Sequence, residues 1–201
     1  MIAAVEIEKR RSPTALREFV INLKDNVRAN KVEMNYGIFK KGLYKEFLDE
    51  IVPLSLFSIK MYPDSYLIQP VLGSQGYDAL VFNESVKQVD KIEMTVPQNG
   101  QLEANDSQLV VEKGHGEVQI VNPGNELKLL IPEVISVCKK KAAKDYSDCT
   151  LIIAIEPLKP FPEFELNYEN QINELISTIR QFKFTAKRVF LFVMPDRIVL
   201  I

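Results

Sequence analysis

The chain has 201 residues, 46% of them hydrophobic, with a formal net charge of −2 and a pI near 5.6. It is long and apolar enough to bury a core, which excludes a disordered chain, and its charge excludes a global positive field drawing it to nucleic acid or an anionic membrane. Cys138 and Cys149 are too few for a disulfide scaffold and lack metal-ligand spacing; with no signal-like or long apolar run, the expectation is a soluble cytoplasmic protein that does not engage a membrane.

In chain order, residues 2–7 suggest a short strand ending in Lys9-Arg10-Arg11, a cation run that is either solvated or laid along a phosphate backbone. Ser12 as N-cap and Pro13 in the first turn predict a helix to about residue 30, with Leu16, Phe19, Val20 and Leu23 on one face. A second helix is expected from about residue 36 to 60, with Phe39, Leu43, Phe47, Ile51 and Leu54 at helical spacing and Pro53 kinking or splitting it. Glu46 and Glu50 stand four apart on it, beside Lys45 and Asp49. They are either part of a solvated face or a source of a third acid for a site elsewhere.

After the turn residues Met61-Tyr62-Pro63-Asp64, residues 66–72 read as a strand and Gly73-Ser74-Gln75-Gly76 as a tight turn. The stretch 76–100 then reads as two strands joined by a polar turn at 83–90. Asp78 heads an apolar strand to Phe82, where a carboxylate needs a partner. In the following strand a period of two places Lys91, Glu93 and Thr95 on one face and Ile92, Met94 and Val96 on the other. If these strands pair as a hairpin, Asp78 and Glu93 converge, and two such carboxylates call for a cation or a shared proton. Oxygen ligands of this kind suit Mg²⁺ or Mn²⁺. The bland alternative is that Asp78 caps a turn and Glu93 makes an ordinary ion pair with Lys91 or Lys141.

Residues 101–111 suggest a short helix or arm and 114–121 a small strand, closed by Pro123-Gly124-Asn125. His115, the only histidine, lies in a Gly-flanked turn and reads as a solvated loop residue. A helix is expected from Pro132 to about residue 145, striped by Val134, Val137, Cys138 and Ala142. Lys141 shares that stripe, so it either points toward the sheet or snorkels at a helix end. Residues 149–155 form a continuous apolar run expected to be a strand covered on both faces, followed by an extended connection at 157–164, a helix at 168–182 and a buried strand at 188–194. Ile92, Met94, Leu151, Ile153 and Phe190 are the expected core residues.

This order of elements predicts one α/β domain over residues 1–201, three-layered around a mixed sheet, with a helical N-terminal part at about 12–60 packed on the sheet. An acid heading one strand, a turn, then Glu-x-[Lys position] in the next strand, followed by a helix and a further buried strand, resembles the PD-(D/E)XK nucleases of restriction-endonuclease-like fold over roughly residues 66–156. Asp78 then matches the first acid of the family and Glu93 the second. The resemblance implies a Mg²⁺-dependent nuclease acting on DNA or RNA, with the metal on Asp78 and Glu93 and, if the helix supplies further acids, on Glu46 and Glu50. Two positions depart from the pattern: Thr95 stands where the motif has lysine, and Tyr77 where it has proline. In this superfamily the lysine can move to a neighbouring helix, which implicates Lys141, with Lys91 on the strand as fallback. The other outcome of the departure is a nuclease-fold protein that binds or scaffolds without cutting. A homo-oligomer is open, as are other partners.

Overall fold

A computed structural model describes residues 2–73, 75–98, 108–111, 113, 126–157 and 165–201. The expected features at 101–107, 114–125 and 158–164, with His115, lie outside these residues. By contacts the chain divides into two compact units, Met1–Met94 with Asp148–Thr150, and Thr95–Ser147 with Leu151–Ile201. The chain is α/β, with six described strands in mixed β-sheet and helices flanking them.

In the first unit, residues 2–7 do not form the expected strand. Ala4–Ile7 is a single helical turn, α1, whose Ile7 is fully buried. Two apolar anchors five apart, Ile2 and Ile7, have no period of two, so strand pairing would expose one of them. The cation run is engaged internally: Lys9 pairs with Glu6 at 2.6 Å, Arg10 lies 3.9 Å from the centre of the Phe82 ring, and Arg11 lies at the same distance over Phe19 while donating to the Ile7 and Lys9 carbonyls. Helix α2, Pro13–Ala29, starts as expected, with Ser12 Oγ accepting from Ala15 N at 3.3 Å.

The expected second helix is broken into pieces. Asn30 caps α3, Lys31–Ile38, by accepting from Val32 N and Glu33 N. The chain turns through Gly42, whose φ of +56° suits a residue without Cβ, into α4, Leu43–Glu46. A π-helical turn, Phe47–Ile51, follows, closed by Val52 N donating to Phe47 O. Helix α5, Val52–Met61, then carries Pro53 near its start. Pro53 has no N–H to donate, and its ring would strike the carbonyl of residue 49 in a regular helix, so the ladder slips to i→i+5 just before it.

Strands β1, Leu67–Pro70, β2, Ala79–Phe82, and β3, Gln88–Thr95, pair antiparallel in that order. Arg11 bridges to Ile68 with reciprocal backbone bonds of 3.0 and 2.7 Å, which satisfies part of the β1 edge. The loop between β2 and β3 is shorter than expected. Asn83 Oδ1 accepts from Ser85 N and Lys87 N, and a register shift at Val81/Phe82 carries Gln88 to Asp90 into β3.

The second unit is built on β4, Thr150–Ile155, whose first residue belongs to the first unit, then β5, Arg188–Val193, and β6, Arg197–Leu200, in that order. Helices α6, Glu126–Ala142, and α7, Glu165–Ile179, pack on each other. Pro132 sits inside α6, not in its first turn. The apolar stripe starts earlier than Pro132: Leu127 is buried with Val134 and Cys138, and Leu130 and Ile131 pack against the same core, so burial carries the helix through the proline. All six β4 residues are buried, as a continuous apolar run requires. Ile92, Met94, Leu151, Ile153 and Phe190 are all buried, as expected.

Candidate functional site

Asp78 precedes β2 and is fixed at both ends. Its N–H donates to Ile92 O at 2.7 Å, and its Oδ2 accepts from Met94 N at 2.6 Å. Those two partners flank Glu93 in β3, so main-chain and side-chain bonds hold the head of β2 to the strand segment that carries the second acid. Glu93 is only 8% exposed. A charged side chain is this deeply covered only where its surroundings compensate it.

The helical segment brings the other two acids. Glu50 lies in the π-helical turn and Glu46 one turn earlier, at the end of α4. The Glu50 carboxyl is pushed up to about 8, first by burial and then by the negative charges of Asp78, Glu46, Glu93 and Asp49 in that order. That order identifies the cluster: acids from the β2 head, β3 and the helical segment all act on one carboxyl. Asp49 is itself paired with Lys40 at 2.7 Å. Glu46 Oε2 is buried without a hydrogen-bond partner. The four acids sequence reasoning singled out, Asp78, Glu93, Glu46 and Glu50, therefore belong to one electrostatic neighbourhood within the first unit, and the solvated-face reading of Glu46 and Glu50 does not hold.

Carboxylate oxygens are the type of ligand that hard divalent cations take. All four side chains offer oxygen, and one Glu46 oxygen is buried without a hydrogen-bond partner; burial is the first cause of the raised Glu50 pKa, and the repulsion from neighbouring acids that follows it is of the kind a cation would offset. Among the described residues, no group of three or more His, Cys, Asp or Glu stands in metal-holding geometry. One Asp78 oxygen is taken by Met94 N, and the Glu50 carboxyl is pushed up to about 8, so neither presents its full ligand capacity in this arrangement.

The lysines are placed differently. Lys91 is half-buried, ion-paired with Asp148, and 5.1 Å from the centre of the Tyr77 ring. Asp148 and Tyr77 hold its ammonium up from its ordinary pKa, with the Asp148 bond as the leading cause. Lys141, on α6 in the second unit, donates to the Tyr146 hydroxyl at 3.3 Å and lies 5.3 Å from that ring centre. Thr95 ends β3 and is half-buried. Both cysteines are buried and their thiols are pushed up to about 12, chiefly by desolvation, which makes poor nucleophiles of them.

Asp90 was expected in the turn. It is instead a β3 residue, 5% exposed, accepting from Thr150 Oγ1 at 2.8 and 3.1 Å and from Tyr62 Oη at 3.2 Å. Its misplacement follows from the strand register: the bulge between Val81 and Phe82 lengthens β3 by the residues that a polar run at 83–90 suggested were loop.

The Glu50 shift has a consequence for stability. In the unfolded chain this carboxyl titrates near 4.5, and in the folded protein near 8. The folded state therefore holds more protons between those values, and the stability linked to this group is fully present below about 4.5 and is lost as pH rises toward 8. Because the carboxyl is only partly buried, solvent screening discounts the effect to about 1–2 kcal/mol. Glu50→Gln, which keeps a neutral side chain of the same shape, is expected to be more stable than wild type by that amount above pH 8 and to flatten the decline. Urea unfolding across this range checks it; parallel pH profiles for the two proteins would show that Glu50 does not carry the proton.

No helix among the described residues is long and apolar enough to cross a membrane. In comparisons with protein-family models, curated proteins and solved structures, none matches this chain.

Proposed function

We propose that the chain is a Mg²⁺- or Mn²⁺-dependent nuclease of three-layer, restriction-endonuclease-like fold, hydrolysing phosphodiester bonds of DNA or RNA through a divergent Asp78…Glu93-x-Thr95 motif. What carries the reading is the convergence on Glu50 of acids from three separate backbone segments, with Asp78 bonded to both neighbours of Glu93. In this reading Asp78 and Glu93 hold the cation, with Glu46 and Glu50 completing or tuning the site. A cation there would polarise the scissile phosphate and lower the pKa of a bound water. The protein's own contribution is positional: two hydrogen-bonded strands hold Asp78 and Glu93, and burial excludes competing water.

A second reading is a nuclease-fold scaffold that binds without cutting. It draws on Thr95 in the position of the motif lysine and on the engagement of Lys91 by Asp148. Cleavage assays on single- and double-stranded DNA and RNA, with Mg²⁺, Mn²⁺ or chelator, separate the two. The enzyme reading expects cleavage that needs the cation. No cleavage by wild type, together with cleavage gained in Thr95→Lys, would establish the second reading, because that substitution restores the missing charge two residues after Glu93.

A further inference from the structure

In the second unit β6 is an end strand. Among the described residues only β5 pairs with it, with Phe190 opposite Leu200, Leu191 opposite Val199 and Phe192 opposite Ile198. The 2.9 Å bond from Ile201 N to Val189 O fixes which residues face inward. Hydrogen-bonded and non-hydrogen-bonded pairs alternate along an antiparallel ladder, so Val199 and Arg197 also turn their N–H and C=O toward β5. Those of Ile198 and Leu200 point outward. The Leu200 carbonyl bears this out, because it accepts from the Arg180 side chain at 3.3 Å instead of from β5.

An open edge is a template for another strand, and chains that keep an edge unpaired place lysine, proline or a bulge on it, or cover it. In the first unit the edge of β1 is bridged by Arg11. The edge of β6 has no such guard. Its residues are Arg197, Ile198, Val199 and Leu200; the one charge is held by Glu169 at 2.7 Å, and Leu200 is 57% exposed. We infer that this edge pairs with the same edge of a second copy of the chain, antiparallel about a two-fold axis at Val199. What selects a copy over any other strand is self-complementary register. The outward-facing residues stand two apart, so this axis places Ile198 opposite Leu200 of the second copy, and Leu200 opposite its Ile198. Each such pair exchanges both backbone bonds, and the second lone pair of the Leu200 carbonyl serves its share. The side chains match as well. Leu200, beside Phe190, gains an apolar neighbour, Val199 meets its own copy, and Arg197 falls opposite Ile201, so no like charges meet. One short strand per copy makes a weak, concentration-dependent dimer. This interface goes beyond the acid-cluster reading without depending on it.

Sedimentation velocity of the full chain over about a hundredfold range of micromolar concentrations tests it. Wild type is expected to pass from monomer to dimer. Leu200→Lys, at an exposed position, is expected to keep the wild-type melting temperature and to weaken dimerisation about tenfold or more. Val199→Cys is expected to form a covalent dimer under mild oxidation, because non-hydrogen-bonded pairs bring opposite side chains closest. Leu129→Cys, exposed on α6, is the control and is expected to stay uncrosslinked; both native cysteines are buried. Wild type that stays monomeric throughout, Leu200→Lys that dimerises as tightly as wild type, or Val199→Cys that cross-links no better than Leu129→Cys would overturn the inference.

Discussion

Asp78→Ala and Glu93→Ala are each expected to reduce cation-dependent cleavage by about 10³-fold or more, the scale on which removing charge stabilisation at a reacting phosphate is felt. The two losses should not add. Each variant removes the same cation site, so the double variant should be no worse than either single one. Asp78→Ala also deletes the acceptor for Met94 N, which could slacken the β2–β3 connection by itself. Asp78→Asn controls for this, since its amide oxygen keeps that bond while the charge is gone. The expected result is a folded protein with unchanged melting and lost cleavage. Full loss in Asp78→Ala with retained activity in Asp78→Asn would reassign Asp78 from cation ligand to strand fastener.

The largest expected stability effect outside the apolar core is at Asp90. Its carboxylate gathers the Thr150 hydroxyl, the Tyr62 hydroxyl and, through Oδ1, Lys91 N at 3.0 Å, joining β3 to the head of β4 and to the end of α5 within the first unit. Asp90→Ala removes the carboxylate that the Thr150 and Tyr62 hydroxyls donate to, at a cost of about 2–4 kcal/mol. Asp90→Asn retains an acceptor and should recover a large part of that loss. A double-mutant cycle with Thr150→Val, read by urea unfolding, measures the shared part. A coupling near zero would show that Asp90 and Thr150 are independent and that the buried bond contributes nothing specific.

Asp90 also shows where the sequence stops being legible. Polar residues at 83–90 advertise a loop, and nothing local reveals that a bulge at Val81/Phe82 draws the last three into β3. The same limit applies to the helices. Ser12-Pro13 announces α2 because capping is local chemistry, whereas Pro132 sits inside α6 because Leu127, Leu130 and Ile131 are buried on the same core as Val134, a tertiary effect. Gly42 and the π-helical turn before Pro53 split one expected helix into three pieces. In β3 the period of two put Ile92 and Met94 in the core, where they lie, whereas Glu93, assigned by the same period to the opposite face, is buried as well. The acid heading β2 was legible because an apolar run leaves a carboxylate unexplained. Spacing left Glu46 and Glu50 open between a solvated face and a third acid; that Asp78 and Glu93 act electrostatically on Glu50 depends on how the helical segment packs, which spacing does not give. Lys141 is half-buried on α6 and donates to Tyr146, five residues on and beyond the helix end, a contact that helical spacing alone does not reveal.

The proposed nuclease reading requires the acids around Glu50 to hold a divalent cation. Calorimetric titration of Mn²⁺ into the full chain tests it most directly, run above the Glu50 pKa of about 8, where that proton no longer competes. Binding of a single Mn²⁺ per chain is predicted, weaker below that pH and absent in the Asp78→Asn, Glu93→Gln double variant with its fold intact. Wild type that takes up no Mn²⁺, or a double variant that binds it as well as wild type, would contradict the claim.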